Sequence, residues 1–381
     1  MKIIVTGAAG FVGRNLVESL RTSLPAAEVT EVTRLNYVEV IERRTLEADF
    51  VFHLAGVNRP MDPSEFDDGN RGLTARLCTR LEQRGIKPVL VLASSIQAGG
   101  DNPYGRSKRA AEQAVEDWSK RTQGTAVVFR LSNVFGKWCR PNYNSVVATF
   151  CHNVARDLPI QISSETNALT LAYVDDVVAA LMACMDVRPP AGLTTRDVPV
   201  SHSTTLGGLV RLIRSFRSSR ESLLLPDFSD PFVRKLYATY LSYLPPADFS
   251  YPLRQRSDDR GTLAEFLKSP TFGQIFLSRT KPGITRGNHY HHTKTEKFMV
   301  VEGEAIIRFR QIGMDDVIEH RVNGTDFKVV DIPPGYIHSI ENVGAGELVT
   351  LFWASEIFDP NTPDTFMLQV ANLQRIKTPC V

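Results

Sequence analysis

The opening residues, MKIIVTGAAGFVG, constrain the fold more tightly than any later stretch. A β-branched run, KIIVT, meets three glycines at three-residue spacing, Gly7, Gly10 and Gly13, and the chain then continues as the helical segment RNLVESL. A strand that enters a glycine turn and leaves as a helix places the unpaired N–H groups of the first helical turn at the end of the strand, where an anion such as a dinucleotide diphosphate can be held. The turn residues Gly7, Gly10, Phe11, Val12 and Gly13 are therefore candidate cofactor contacts.

Short apolar runs (FVFHLAG, PVLVLASS, AVVFRLS) alternate with helical stretches such as SKRAAEQAVEDW up to about Pro190. That rhythm predicts βαβ units and a parallel sheet of the Rossmann type, flanked by helices on both faces. From about Ala191 to Pro245 the text turns helical and rich in Ser and Arg, which extends the first domain as a mostly helical lobe. Beyond Pro245-Pro246, runs such as QIFLSRT, KFMVVEG, EAIIRFRQ and LVTLFWAS are separated by Gly, Pro and Asn turns. Closely spaced strands without helices predict a sandwich or barrel, so the expected division is an α/β domain over 1–245 and an all-β domain over 246–381.

Composition excludes several classes. Lys plus Arg total 44 against 42 Asp plus Glu, a net charge of +2, too small for a nucleic-acid surface or an anionic-membrane anchor. Five scattered cysteines, Cys78, Cys139, Cys151, Cys184 and Cys380, show no Cys-x-x-Cys spacing and fit reduced thiols in a cytosol. MKIIVTGAAG runs straight into a strand and a glycine turn, so a secretory signal is not expected, nor is a membrane span, since no long apolar run follows. The expected location is the cytoplasm, with neither nucleic acid nor membrane as partner.

Three further features accompany the glycine turn. The second strand, EVTEVTR, ends at Arg34, where an acidic residue would accept from a ribose 2′-hydroxyl and a guanidinium suits a 2′-phosphate; NADPH is the expected cofactor, with Glu28 or Glu31 as ribose ligands if the strand ends earlier. Tyr104 and Lys108 lie one helical turn apart in NPYGRSK, so an ammonium can depress the phenol's pKa and make it an acid–base group. Ser94 and Ser95 close the strand PVLVLASS. In this order the motifs resemble the extended short-chain dehydrogenases, the nucleotide-sugar branch of that family, and FVFHLAG, RLSNVFGKW and YVDDVV continue the likeness. The resemblance implies a catalytic set of Ser94, Tyr104 and Lys108, further cofactor contacts at Leu54, Ala55, Gly56, Tyr104 and Lys108, and substrate contacts at Ser95 and Asn133. It also implies a structural part for Asp175 and Asp176. Only nine residues separate Ser95 from Tyr104; the choice between Ser94 and Ser95 stays open, with the strand-end alignment favouring Ser94.

The densest signal is GITRGNHYHHTKTEKFMVVEG followed by PPGYIHSIEN. Histidines at i and i+2 share one strand face, and a carboxylate and a third histidine from neighbouring strands can complete a site for a divalent transition metal. His289, His291, Glu296 and His338 match the two motifs of the cupin family, whose fold is a jelly roll, whereas His292 and His320 read as surface residues. Tyr290, Lys294 and Tyr336 lie near the ligands in sequence, and no spacing selects an acid or base among them. The metal can be a Lewis acid beside a sugar ketone or a stiffener of the barrel.

A short-chain dehydrogenase fused to a cupin in this order resembles a family of bacterial capsular-polysaccharide and O-antigen enzymes, through stretches such as HLAGVNRP, SSIQAGGDNPYGRSK and KPGITRGNHYHHTKTEKF. That resemblance implies UDP-N-acetyl-L-fucosamine synthesis: C3 epimerisation of a UDP-linked 4-keto amino sugar in the cupin, then NADPH-dependent reduction of the C4 ketone to UDP-N-acetyl-6-deoxy-L-talosamine. It further implies zinc and a homodimer. The alternative is the same reductase with a cupin that dimerises without turnover.

Overall fold

The computed structural model of the chain describes residues 1–43, 47–187 and 189–370, so Cys380 lies outside the described residues. Two compact units are formed, one by Met1–Arg214 with Asp230–Pro246, the other by Ser215–Ser229 with the described residues from Ala247 onward.

The first unit opens with β1 (Lys2–Thr6), α1 (Phe11–Ser23), β2 (Glu28–Val32), β3 (Phe50–His53), α2 (Leu73–Gln83), β4 (Val89–Ser95), α3 (Pro103–Thr122) and β5 (Thr125–Leu131). There follow β6 (Asn133–Phe135), α4 (Val146–Val154), β7 (Ala168–Tyr173), α5 (Val174–Asp186), β8 (Gly192–Arg196), β9 (His202–Thr205), α6 (Leu206–Ser222), whose residues from Ser215 on belong to the second unit, and α7 (Pro231–Leu241). The main sheet is ordered β2-β1-β3-β4-β5-β8, and all its pairings are parallel. The strand alternation explains the layers. Ile3, Val5, Phe52, Val91 and Phe129 join Leu16, Leu20 and Leu181 in one buried cluster. The intervening Ile4, Val51, Leu90, Leu92 and Val128 pack with Leu77, Leu81, Val115 and Trp118 in another. Each strand thus feeds both faces, with α1 and α5 over one and α2 and α3 over the other.

One sequence expectation needs correction here. Gly192–Arg196 was expected at the start of a helical lobe, yet it is the sixth strand of the main sheet, running parallel to β5. Its sequence, GLTTR, has no apolar alternation because it is a short edge strand that pairs through backbone alone on one side. The helices α6 and α7 then supply the helical part.

The second unit contains β10 (Gln255–Asp258), β11 (Gly261–Ser269), β12 (Gly273–Thr280), β13 (Thr285–Tyr290), β14 (Glu296–Glu302) and β15 (Glu304–Gln311). It continues with β16 (Val317–Asn323), β17 (Val329–Ile332), β18 (Tyr336–Asn342), β19 (Leu348–Ala354) and β20 (Phe366–Met367). They make two sheets, β10-β11-β12-β19-β14-β17 and β16-β15-β18-β13-β20. Phe298, Val300 and Phe352 of the first share a buried cluster with Ile307, Phe309 and Ile340 of the second. Two antiparallel sheets with their inner faces in one core are the all-β architecture of a cupin.

The glycine turn shows how closely the backbone must pack. A Cβ on Gly13 would sit 2.1 Å from the Gly7 carbonyl oxygen, whereas one on Gly99 would meet nothing within 4 Å. Gly13→Ala should therefore cost about 1–3 kcal/mol or more through overpacking, and Gly99→Ala should stay within about 0.5 kcal/mol of the parent; urea denaturation of the two variants measures the contrast.

Candidate active site and metal centre

At the carboxyl ends of β1 and β3–β5 lies a cleft of about 700 Å³. This is the switch point of the sheet, since β2 and β3 flank β1 on opposite sides and the following connections diverge there. Gly7, Gly10, Phe11, Val12, Gly13, Leu54 and Gly56 line it, with Ser94, Ser95, Tyr104, Lys108 and Asn133. Gly7 has φ +71°, and a Cβ on it would be 2.7 Å from the Ala55 nitrogen, so the turn needs glycine there. Ala55 itself is outside the lining; its N–H donates to Thr6 Oγ1 at 3.3 Å. Helix α1 starts at Gly10 with no side-chain cap and no acidic residue in its first turn, leaving its amides available to an anion.

Beneath the turn, His53 is fully buried between Thr6 Oγ1 at 2.7 Å and Thr74 Oγ1 at 3.0 Å. Burial, aided by the Lys108 charge, lowers its pKa to about 3, so it is a neutral strut. Arg34 is exposed in the turn two residues beyond the end of β2 and is not among the lining residues. Of the two acidic alternatives, Glu31 pairs with Arg21 and Glu28 is exposed.

Helix α3 aims the proton-transfer pair. Asn102 caps it by accepting from the Gly105 N–H at 2.8 Å, and Pro103 occupies its first turn, a favoured start. Tyr104 and Lys108 then stand one turn apart, both on the cleft. The Lys108 ammonium donates to the Ala93 carbonyl at 2.7 Å, and burial lowers its pKa to about 8, with Glu112 opposing. Burial raises the Tyr104 phenol, and its hydrogen bond with Ser95 opposes the rise. The expected depression of the phenol by the ammonium is therefore corrected: enclosure outweighs any help from Lys108, whose charge is spent on a backbone carbonyl.

Ser94 and Ser95 have different partners. Adjacent strand residues point to opposite faces, and Ser94 Oγ donates to the buried Glu112 carboxylate at 2.5 Å. Glu112 also takes two bonds from Arg130, at 3.1 and 2.7 Å. Ser95 is the serine beside Tyr104. Sequence reasoning also missed Asn70, whose buried amide donates to the Val57 carbonyl and to Ser107 Oγ, each at 2.9 Å, fixing the loop at Gly56. Beyond Asn133 the wall is completed by Trp138, Arg140 and Tyr143. Asp175 and Asp176 are tied to Lys137 and Lys235.

In the second unit, His289 of β13 lies opposite His338 of β18, His291 follows β13, and Glu296 begins β14. One donor atom from each of the four falls within 4.8 Å of the other three. The Nε2 atoms of His291 and His338 approach Glu296 Oε2 at 3.3 and 3.4 Å, yet both are buried without a hydrogen-bond partner. Burial pushes the Glu296 carboxyl up, and the two imidazoles pressed against it more than reverse that, holding it below the usual carboxylate range. Burial, reinforced by the other two imidazoles, lowers His289 to about 4. Three imidazoles, an ionised carboxylate and orphaned buried nitrogens fit a divalent transition metal, zinc included. His292 is exposed against Phe366, and His320 lies against Phe309. Lys294 is buried, with Nζ 3.8 Å from Glu296 Oε1, while Tyr290 stacks on Phe366 and Tyr336 packs edge-on to Phe309.

Each of the two units matches a known family. The NAD dependent epimerase/dehydratase family matches residues 3–192, and the polysaccharide biosynthesis C-terminal domain matches residues 256–366. A UDP-2-acetamido-2,6-beta-L-arabino-hexul-4-ose reductase of Pseudomonas aeruginosa is 45% identical over 97% of this chain and 99% of its own. The crystal structure of the capsular polysaccharide assembling protein CapF from Staphylococcus aureus superposes with TM-score 0.90 at 47% identity, over 97% of this chain and 100% of that one. A structure of CapF with the inhibitor 3-isopropenyl-tropolone gives TM-score 0.86 at 43% identity, over 97% of this chain and 100% of that one. The chain belongs to the CapF family of UDP-sugar reductases of capsule biosynthesis, in which an epimerase/dehydratase domain is joined to a polysaccharide biosynthesis C-terminal domain.

Proposed function

We propose that this chain converts a UDP-2-acetamido-2,6-dideoxy-4-keto-hexose to UDP-N-acetyl-6-deoxy-L-talosamine on the way to UDP-N-acetyl-L-fucosamine. The C-terminal site epimerises C3 and the N-terminal cleft reduces C4 with NADPH. The carrying observation is that Ser95, Tyr104 and Lys108 line one cleft together with the glycine turn. NADPH, when bound, supplies the hydride taken up by the C4 carbon. Tyr104 supplies the proton to the C4 oxygen, and a phenol kept protonated by burial is the form a ketone reduction requires. Ser95 holds the same oxygen by a second hydrogen bond, and the Lys108 charge stabilises the phenolate that the transfer leaves behind. Gly7, Gly10, Phe11, Val12, Gly13, Leu54 and Gly56 enclose the cofactor. Asn133 orients the sugar nucleotide. Arg34 remains the proposed partner of the 2′-phosphate, reached by its exposed side chain.

At the second site His289, His291, Glu296 and His338 would hold zinc or a similar ion, which would polarise the ketone so that negative charge could spread onto oxygen as C3 loses its proton. A C3 proton is acidic only while C4 is a carbonyl, so epimerisation precedes reduction. The tropolone found with CapF supports a metal in this family, because its adjacent keto and hydroxyl oxygens form a chelating pair. We place the reaction in the cytoplasm, with the chain acting as a homodimer; among the described residues no helix is long and apolar enough to cross a membrane.

In deuterated water, Tyr104→Phe should lower NADPH oxidation by about 100-fold or more while NMR still shows deuterium entering C3. His338→Ala should stop the exchange. Exchange that survives His338→Ala would leave the second unit a dimerising module without turnover.

Ser95→Ala is expected to reduce kcat about 10- to 100-fold, the cost of one hydrogen bond to a charged transition state. Ser94→Ala should retain kcat within about threefold, since the bond it removes goes to the Glu112 carboxylate and not to the reacting oxygen. Equal losses in the two variants, measured at saturating NADPH, would reverse the assignment of the serines.

Lys108 is charged below its pKa of about 8 and neutral above it. If its charge assists Tyr104, kcat should fall as pH rises through that value, and a profile flat from pH ~7 to ~10 would remove Lys108 from the proton transfer.

A further inference from the structure

We propose that Asp364, a residue outside every recognised motif of the chain, is the positioning residue of the C-terminal metal centre, setting the tautomer of His291 and the conformation of the loop beyond it. The inference rests on the metal reading above. The loop from His291 to Thr295 must turn sharply between β13 and β14 while keeping His291 and Glu296 on the same centre. Its backbone amides then point outward in succession, a concave arrangement that favours an anion.

The Asp364 carboxylate fills it. Oδ1 accepts from the His292 N–H at 2.8 Å. Oδ2 accepts from the N–H groups of Thr293 and Lys294, each at 2.8 Å, and from Thr293 Oγ1 at 3.0 Å. Burial acts to raise this carboxyl, but the three amides outweigh it and hold the group ionised. The same residue's backbone carbonyl faces His291 Nδ1. Nδ1 must carry the proton to make that bond, which leaves the Nε2 lone pair directed at the Glu296 side of the cluster. Four bonds to the carboxylate therefore fix where the carbonyl stands, and the carbonyl fixes the ring.

The segment after Asp364 holds it in place. Thr365 Oγ1 accepts from Lys294 Nζ at 3.2 Å. Met367 and Phe366 pair with His289 and Tyr290, and the N–H groups of Leu368 and Val370 donate to the Asn288 carbonyl and to Asn288 Oδ1, at 2.9 and 3.2 Å. A strap separated from His291 by 73 residues of sequence thus lies along the strand that carries the first ligand.

The test uses the full-length chain, titrated with zinc alone in competition with a chromogenic chelator. Asp364→Ala should raise the zinc dissociation constant about 10- to 100-fold. Asp364→Asn, which keeps one acceptor oxygen and loses the charge, should raise it by at least about threefold. Nitrogen-15 NMR of the histidine rings, with circular dichroism of the metal-free protein to confirm folding, should show His291 protonated at Nδ1 in the parent and a mixture of tautomers in Asp364→Ala. If Asp364→Ala does not fold, Asp364→Asn decides. Zinc affinities within about twofold of the parent, with His291 still protonated at Nδ1, would overturn the role of Asp364. A parent chain that takes up no zinc would instead overturn the metal reading, and the inference with it.

Discussion

A parallel sheet buried on both faces leaves one place for polar chemistry, the carboxyl end of its strands. Every apolar side chain of β1, β3, β4 and β5 is committed to one of two cores, so groups that must meet solvent and substrate gather where the strands stop. Thr6, His53, Ser94 and Ser95 are strand-terminal residues, and the glycine turn brings the first amides of α1 to the same edge. The tight Gly7–Gly13 approach follows from this constraint, because a cofactor can reach helix and strand ends together only if the backbone between them is stripped of side chains.

Enclosure at that edge gives the reductase site its electrostatic character. Burial pushes Tyr104 up and Lys108 down, so both groups move toward neutrality. A neutral ketone gains negative charge only on accepting hydride, and a site of low standing charge with one ready proton suits that event better than a pre-formed phenolate. The Glu112 carboxylate, which opposes the fall in the Lys108 pKa, is occupied by Ser94 and Arg130. The C-terminal centre works in the opposite sense: its carboxylate is kept ionised in spite of burial, as a cation site requires.

Much of this was legible in the residues. Glycine spacing, the Tyr104–Lys108 interval and the histidine pattern are local, and local patterns survive folding unchanged. The failures were all non-local. Ser94 and Ser95 are indistinguishable by type, and only the partner on α3 decides which faces Tyr104. Strand β8 has a polar, edge-strand sequence without the alternation that marks its neighbours. The sign of the Tyr104 shift depends on enclosure, which spacing does not encode. Asn70 and Asp364 carry no motif because their work is done on backbone groups, and a backbone group exerts no demand on the identity of its own residue.

The same distinction explains why ligands are easier to read than the residues that hold them. A metal selects imidazole and carboxylate chemistry, so His289, His291, Glu296 and His338 stand out in any listing of side chains. The loop that presents them needs only an anion at the right distance, and many positions could have supplied one. Asp364 does so because β20 lies beside β13, a pairing set by the last strand of the described chain. Its importance is therefore a property of topology, and it becomes visible only once the two strands are seen side by side.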